Sequence, residues 1–309
     1  MVNITHKTST LRVAIAQALV KLSSAATLTA ILDKKVPKGD VFEVARVAGL
    51  FAAKRTSDLI PDCHPLPIEF TQINYQINPA DLIVQIIVEI HTIYKTGVEV
   101  EAMHTASVVA LTMYDMLKPI DKGIEIQQIK LLEKHGGKSD FNDEEIGKLK
   151  AAVMVCSDSI SSGKKTDKAG LTIIEKLAKY GIENPDYIII PDEPEQIKTQ
   201  VLEFCQQEFH LVVITGGTGL SKRDQTPEAL HPLIDREIPG IAEAIRAYGQ
   251  QRTPYAMLSR SVVGFVGKTL VMALPGSTRG AAESVDAVFP AILHVFSVGK
   301  GNQHKQKKT

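Results

Sequence analysis

Residues 95–118 carry acidic and basic side chains whose types and spacing suit acid–base chemistry. Glu99 and Glu101 precede a long apolar run, and Asp115 and Lys118 close it. A carboxylate beside an ammonium group can orient the lysine or tune its proton affinity. The same spacing is also that of an ordinary ion pair on a helix surface, so spacing alone leaves both interpretations open.

The apolar residues of this stretch recur at three- and four-residue steps, which predicts a helix over residues 102–117. Pro119 disfavours helical geometry at the residue before it, so the helix should end near Lys118. Glu101 and Asp115 would then lie about 21 Å apart along the helix axis. One small substrate cannot contact both, so either they serve different ends of the site or a second subunit, packed antiparallel, completes it. We favour the second subunit.

A proline-rich segment over residues 59–70 holds Cys63 and His64 at its centre. This pair could bind a metal, but no second pair of ligands follows at metal-binding spacing, which makes that interpretation the weaker one. A rigidly presented His64 that hydrogen-bonds a polar ligand is favoured, and a structural histidine is the alternative.

Basic residues are spread along the first half of the chain. If several converged, they would suit a polyphosphate substrate, because cations offset its charge and stabilise a leaving pyrophosphate. Scattered lysines are usually just solvated, and a sequence does not show convergence. The residues concerned are Arg12, Lys38, Lys54, Arg55, Lys118 and Lys138.

The composition is that of a globular chain with two domains. Its 309 residues allow two cores, and a formal net charge of zero gives no indication of nucleic-acid binding. Three separated cysteines without a CxxC motif favour a reducing compartment, so we expect a cytoplasmic protein. The polar N-terminal segment does not resemble a signal peptide, and no apolar run is long enough to predict a membrane span.

The first half of the chain mixes helical and strand patterns. Asp40 is the expected N-cap of one of the predicted helices. The order of elements favours an α+β sandwich with helices on one face of an antiparallel sheet. Predicted helices cover residues 10–28, 41–56 and 102–117, and predicted strands cover residues 68–77, 82–94 and 124–132.

Three separated blocks of this half resemble the cyclic pyranopterin monophosphate synthase family of molybdenum cofactor biosynthesis (MoaC type). They are KGDVFEVARVAGLFAAKRTSDLIPDCHP, TGVEVEAMHTASVVALTMYDMLK and LLEKHGGKS. The resemblance covers residues 1–145 and implies a ferredoxin-like plait, a hexamer of three dimers and active sites at the dimer interface. It implies conversion of 3′,8-cyclo-7,8-dihydro-GTP to cyclic pyranopterin monophosphate and pyrophosphate, without a cofactor.

The same resemblance assigns roles to individual residues. Asp115, Lys118 and Lys38 match the catalytic positions. Asn3, His135 and Asp140 depart from the usual residues outside the catalytic blocks. The positions that match substrate or phosphate contacts are Arg12, Asp62, Cys63, His64, Glu99, Val100, Glu101 and Lys138.

The second half begins after a highly charged segment, residues 140–150, which is typical of a linker. Short apolar strands alternate with amphipathic helices, as in a doubly wound, mostly parallel sheet. Strands are predicted over residues 151–156, 187–190 and 211–215, and helices over residues 171–180 and 195–209.

The sequence TGGTG, residues 215–219, follows the third of these strands. Glycines let the backbone approach a ligand and aim N–H groups at an anion, and parallel sheets bind ligands at this edge. The loop is neither a Walker A motif nor GxGxxG, and a tight turn is the alternative interpretation. In the following SKRDQTPE, Arg223 and Asp224 could contact phosphate and metal. Thr226 and Pro227 could equally be the N-cap and first residue of a helix.

VCSDSISSG, IIPDE, ITGGTGLSKRDQTPEAL and ALPGSTRG resemble, in this order, the MoaB/Mog family of molybdopterin-binding proteins. The resemblance implies a three-layer α/β domain that joins AMP from Mg-ATP to molybdopterin. It assigns Asp192 and Asp224 to Mg²⁺ and adenylyl transfer. The further positions matched to nucleotide or pterin binding are Gly216, Gly217, Gly219, Thr226, Asp158 and Ser277.

The sequence therefore predicts a bifunctional enzyme with domains at residues 1–145 and 150–299 and a disordered basic tail at residues 300–309. Its expected partners are small molecules, namely the cyclised GTP intermediate, molybdopterin and ATP, together with further copies of the chain. A non-catalytic molybdopterin-binding or oligomerisation module is the alternative for the second domain.

Overall fold

A computed structural model describes residues 1–137 and 149–298 of the chain. The chain forms two compact units, Met1–Asp140 and Phe141–Thr309. Most of the predicted linker, the predicted basic tail and the candidate phosphate ligand Lys138 lie outside the described residues.

The first unit is a four-stranded antiparallel sheet with helices on one face. The strands are β1 (Thr10–Lys21), β2 (Phe70–Asn78), β3 (Ile83–Tyr94) and β4 (Glu125–His135), in the spatial order β2-β3-β1-β4. The helices are α1 (Ala25–Leu32), α2 (Val41–Lys54), α3 (Thr56–Leu59) and α4 (Glu99–Leu117). Since α2 and α4 both pack on the buried face of this sheet, the unit has the ferredoxin-like plait that was predicted.

The predicted helix over residues 10–28 is wrong, because residues 10–21 form the central strand β1. Ala14, Ala16 and Ala18 are fully buried at every second position, which is the period of a strand. Their small side chains let α4 pack closely on the middle of the sheet. Helix begins only after Ser24, whose side chain accepts a hydrogen bond from the N–H of Thr27.

The other predicted elements of this unit are confirmed within a few residues. Asp40 caps α2 by accepting a hydrogen bond from the N–H of Glu43. Lys118 is the C-cap of α4, as the proline after it predicted. These two helix ends place residues 38–40 and 115–118 beside each other, and they therefore build one candidate site.

The second unit has a six-stranded sheet in the order β6-β5-β7-β10-β9-β8. Its strands are β5 (Ala151–Cys156), β6 (Asp186–Ile190), β7 (Leu211–Thr215), β8 (Arg236–Glu237), β9 (Val262–Val266) and β10 (Thr269–Leu274). The first four strands in the spatial order run parallel, whereas β9 and β8 are antiparallel to their neighbours. The mostly parallel sheet is confirmed, with an antiparallel edge that the sequence did not indicate.

Helices cover both faces of this sheet, so the second unit has three layers. One face packs on α6 (Ala169–Ala178), α9 (Pro239–Gln250) and α10 (Thr278–Val288), and the other on α7 (Pro194–Gln206) and α8 (Thr226–Leu230). The remaining short helices are α5 (Asp158–Ser161) and α11 (Val295–Val298). Among the described residues, no helix combines the length and apolar character needed to cross a bilayer.

Candidate active sites

In the first unit, one carboxylate lies between two ammonium groups. Lys118 Nζ is 2.8 Å from Asp115 Oδ1, and Lys38 Nζ is 2.7 Å from Asp115 Oδ2. Lys38 also donates a hydrogen bond to the backbone carbonyl of Asp115 at 2.9 Å. The structure thus brings together the three residues that match the catalytic positions of the resembled family.

This arrangement fixes the charges of the cluster. Hydrogen bonds from Lys118 and Lys38 lower the pKa of Asp115 to about 2. The hydrogen bond with Asp115 in turn raises the pKa of Lys118. At neutral pH the aspartate is therefore ionised and Lys118 holds its proton. Such a lysine can act as a cation or as a proton donor to a substrate, and the carboxylate orients it.

A second cluster lies at the opposite end of α4. The thiol of Cys63 donates a hydrogen bond to Glu101 Oε1 at 3.1 Å. Glu101 is only 2% exposed, and its Oε2 has no hydrogen-bond partner among the described residues. Burial raises the pKa of Glu101, and burial together with the bond to Glu101 raises the pKa of Cys63 to about 12. Glu101 is thus a carboxyl group that holds its proton up to a higher pH than an exposed glutamate does.

The residues beside Cys63 contact the N-terminal segment. His64 Nε2 donates a hydrogen bond to the carbonyl oxygen of Val2 at 2.9 Å, and Asp62 pairs with the amino group of Met1 at 2.9 Å. The substrate-binding roles that the resemblance implies for Asp62 and His64 stay predictions.

A basic cleft of about 190 Å³ lies near the start of β1. The strand register creates it, because Thr10 pairs with Tyr94 and Val13 pairs with His135, so three distant segments meet. Of the predicted cations it contains Arg12, which donates a hydrogen bond to the carbonyl oxygen of Tyr94 at 3.3 Å. The residues that line the cleft with charged side chains are Lys7, Arg12, Lys95, Glu99 and Lys134.

Three of these cations were not singled out in the sequence: Lys7, Lys95 and Lys134. Nothing in their local patterns distinguishes them from solvated lysines, and only the register of β1 with its two neighbours reveals them. Lys134 Nζ lies 3.4 Å from Glu99 Oε1, which places the predicted Glu99 in this cleft. Val100, in the first turn of α4, is exposed.

In the second unit, the acidic residues lie where the parallel strands end. Asp158 follows β5, and Asp192 follows β6. The guanidinium of Arg223 donates to Asp158 Oδ2 at 2.8 Å and to Glu193 Oε1 at 2.6 Å. Asp158 Oδ1 also accepts a hydrogen bond from the backbone N–H of Asp192 at 3.0 Å. Arg223 thereby links the segments after β5 and β6 to the one that carries RDQTPE.

Asp192 is the most perturbed acid of this site. It is 7% exposed, and its Oδ1 has no hydrogen-bond partner within the described part of the chain. Burial, and then the charges of Asp224 and Asp158, raise the pKa of Asp192 to about 6. A Cβ added at Gly217 would lie 2.6 Å from Asp192 Oδ1, and one added at Gly219 would lie 2.8 Å from Asp224 Oδ2. Both carboxylates therefore face the glycine loop.

These residues fit a magnesium ion that is held jointly with a substrate. Within residues 1–137 and 149–298, no group of three or more acidic, histidine or cysteine side chains is arranged to hold a metal alone. Mg²⁺ is commonly bound by one or two carboxylates together with substrate phosphates. A buried carboxylate oxygen without a partner, at Asp192, is the kind of group that a cation would satisfy.

The glycine loop is tightly built. Gly216 has φ +109°, and a Cβ there would lie 2.1 Å from the carbonyl oxygen of Cys156. Thr226 donates hydrogen bonds to the carbonyl oxygens of Gly216 and Gly217, from its hydroxyl at 3.0 Å and its N–H at 3.1 Å. The N-cap of α8 is Gln225 rather than Thr226, so the predicted capping role of Thr226 is wrong. Its side chain holds the loop instead.

Ser277 also lies at this edge of the sheet. It is the N-cap of α10, and its hydroxyl accepts a hydrogen bond from the N–H of Gly280 at 3.1 Å. Beside it is a cavity of about 210 Å³ between α9 and the start of α10, lined by Ile245, Tyr255, Pro275, Ser277 and Arg279 among others.

Two family models match the chain. Residues 1–137 match the MoaC family, and residues 152–294 match the probable molybdopterin binding domain. The two matches coincide with the two halves that the sequence motifs distinguished.

Relatives span one or both halves. The chain is 40% identical to the molybdenum cofactor biosynthesis bifunctional protein of Chlorobaculum tepidum over 90% of this chain and 88% of that protein. It is 46% identical to the cyclic pyranopterin monophosphate synthase of Thermomicrobium roseum over 45% of this chain and 83% of that one. The structure of the molybdopterin biosynthesis enzyme MoaB from Thermus thermophilus shares 42% identity over 51% of this chain and 99% of that chain, with a TM-score of 0.47.

Proposed function

Because the chain belongs to the family of bifunctional molybdenum cofactor biosynthesis proteins, we propose that each of its two units catalyses one reaction of that biosynthesis. The first unit converts 3′,8-cyclo-7,8-dihydro-GTP to cyclic pyranopterin monophosphate with release of pyrophosphate. The second unit transfers AMP from Mg-ATP to molybdopterin.

The Asp115 carboxylate held between two lysines carries the proposal for the first unit. Rearrangement of a purine-derived ring needs proton transfers, and Lys118 is protonated and oriented for that task. The buried Glu101 supplies a second group that can exchange a proton. The cations of the basic cleft offset the charge of the triphosphate and of the departing pyrophosphate.

The two clusters on α4 require two copies of the chain to form one site. From Glu101 to Asp115 the helix axis extends about 21 Å, too far for one small substrate to bridge. Two antiparallel copies of α4 would bring the Glu101 end of one beside the Asp115 end of the other. We therefore expect a homo-oligomer whose active sites lie between subunits.

Mixing of two inactive variants tests this arrangement. Asp115→Asn and Glu101→Gln chains should each be inactive alone. After they are unfolded together and refolded, random pairing should restore about a quarter of the activity, since half the dimers are mixed and each has one intact site. No recovery, with oligomers formed normally, would show that both clusters act within one chain.

Pyrophosphate release from 3′,8-cyclo-7,8-dihydro-GTP tests the reaction itself. Lys38→Met should abolish release, because it removes one of the two cations that hold Asp115. Lys35→Met is a matched control, since Lys35 lies in the same loop and, in the described part of the chain, forms an ion pair only with the exposed Asp33. Equal loss in both variants would argue against a specific role of Lys38.

The unpartnered, buried oxygen of Asp192 beside the glycine loop carries the proposal for the second unit. Asp192 and Asp224 would hold Mg²⁺, which would neutralise the nucleotide phosphates and make the α-phosphorus easier to attack. The glycine loop offers backbone N–H groups to those phosphates. Arg223, which pairs with Asp158 and Glu193, adds a positive charge at the same edge. The cavity beside Ser277 offers a place for the pterin.

AMP transfer to molybdopterin by the full chain tests the second reaction. Transfer should require Mg-ATP and should be lost in Asp224→Asn. Asp235→Asn is the control, because Asp235 lies in the same unit and accepts a hydrogen bond from the N–H of Gly267, which an asparagine oxygen can still do. Tight molybdopterin binding without transfer by the unmodified chain would instead establish a non-catalytic binding module.

A further inference from the structure

Every backbone carbonyl of residues 216–219 accepts a hydrogen bond from one of two residues outside the loop. Thr226 holds the carbonyl oxygens of Gly216 and Gly217. Arg260 holds the next two, with its backbone N–H 3.1 Å from the carbonyl oxygen of Thr218 and its Nε 2.8 Å from that of Gly219. All four carbonyl groups are thereby fixed by hydrogen bonds within the protein.

The N–H groups of the same loop are left available. The N–H of Gly216 donates to the carbonyl oxygen of Leu274 at 3.3 Å. Those of residues 217–219 donate to no acceptor in the part of the chain that the structure describes. Three successive N–H groups without acceptors, beside carbonyls that are all engaged, are groups that an anion would satisfy.

The side chain of Arg260 also fixes the acidic loop. Its Nη2 donates to the backbone carbonyl of Asp224, and its Nη1 pairs with Glu228 Oε1 on α8. One guanidinium therefore joins the two ends of residues 219–224, the segment that carries Arg223. A planar guanidinium presents several donors in a rigid fork, whereas a lysine ammonium is a compact charge on a flexible stem and cannot hold all three acceptors in this geometry.

We propose that Arg260 is a positioning residue for adenylyl transfer, which holds the carbonyl groups of Thr218 and Gly219 inward so that the N–H groups of the glycine loop bind a nucleotide phosphate. The inference rests on the adenylyl transfer proposed for this unit. Arg260 acts through the loop and through the placement of Asp224, and its guanidinium is already engaged with protein acceptors. The segment MLSRSVVG that contains it shows no sequence signal for this role.

The test compares steady-state AMP transfer by the unmodified full chain, Arg260→Lys and Arg236→Lys. Arg236 is a matched control, because it donates to the carbonyl oxygen of Gly267 at the antiparallel edge of the same sheet. For Arg260→Lys we expect the KM for Mg-ATP to rise at least about tenfold, as for loss of one charge-assisted hydrogen bond. The KM for molybdopterin and the midpoint of thermal unfolding should change little.

Each outcome either supports or overturns the positioning role of Arg260. An unchanged KM for Mg-ATP in Arg260→Lys, with active unmodified chain, overturns the role of Arg260 and leaves the adenylyl transfer standing. A lower unfolding midpoint with unchanged KM shows a purely structural role and also overturns it. No transfer by the unmodified chain rejects both proposals. A raised KM in Arg260→Lys but not in Arg236→Lys supports the inference.

Discussion

Replacement of Asp192 by asparagine should stabilise the second unit while it removes adenylyl transfer. The carboxyl group is buried beside other acids, and its pKa is raised from 3.8 to about 6. A group whose pKa is higher in the folded than in the unfolded state lowers stability once it ionises. The unit should therefore lose stability as the pH rises from about 4 through about 6, and asparagine should remove this loss.

The size of the effect follows from the two pKa values. At about 1.4 kcal/mol for each pH unit between 3.8 and about 6, ionised Asp192 lowers the free energy of unfolding by about 3 kcal/mol at pH 8. At pH 5 the native carboxyl group is mostly protonated while the unfolded one is mostly ionised, and the loss is about 1.5 kcal/mol. The stability advantage of Asp192→Asn should thus grow by about 1.5 kcal/mol between pH 5 and pH 8.

Hydrogen exchange in a urea series, followed by mass spectrometry, measures the free energy of unfolding separately for each unit. Peptides from β5 and β7 report the second unit, and peptides from β1 and α4 serve as an internal control that should not differ between the two proteins. Any packing effect of the amide is independent of pH and cancels in the comparison. A stability difference that stays constant, or shrinks, from pH 5 to pH 8 would refute the reasoning.

Three further predictions use other features of the two sites. Gly217→Ala should destabilise the second unit by about 1–3 kcal/mol in urea unfolding and weaken Mg-ATP binding in calorimetry. The reason is that φ is +61° and the new methyl group would meet three oxygens, the Thr226 hydroxyl and both carboxylate oxygens of Asp192. Gly240→Ala, with open space around it, should do neither. The acid limb of the pH–rate profile for pyrophosphate release should not reflect Asp115, whose pKa is about 2, and an NMR titration of the Asp115 carboxyl group with a midpoint near pH 5 would contradict this. Cys63, with its thiol pKa raised to about 12, should react slowly with iodoacetamide at pH 8, and Glu101→Ala should speed the labelling seen by mass spectrometry; equal rates would show that Glu101 does not protect the thiol.

Local patterns predicted most elements because their apolar periods and end signals are contained in a few neighbouring residues. Asp40 marked the start of α2, and the proline after Lys118 marked the end of α4. β1 was misread because alanine favours helices and its burial at alternate positions depends on the helix packed above it. In β1, tertiary packing outweighed the helix propensity of alanine.

The residues of the candidate sites were likewise predicted where the signal is local and missed where it is not. Asp115 and Lys118 are one helical turn apart, so their contact followed from the sequence, and the motif around residues 215–226 indicated the acidic site at the ends of parallel strands. Lys134 and Arg260 were missed. Each acts through partners that are distant in the chain, and only the register of a sheet or the course of a loop brings them together.

The position of β1 at the centre of its sheet has a consequence for synthesis of the chain. Both edges of β1 need partners, yet β3 begins at Ile83 and the residue opposite Val13 in β4 is His135, 122 positions later. At about 5–20 residues per second, a ribosome needs roughly 6–25 s to make that stretch. Until β3 has been made, an apolar strand with two open edges is exposed on the nascent chain, and one edge stays open until β4 follows. An unpaired strand edge is a site of aggregation, so the risk lasts until β4 has emerged.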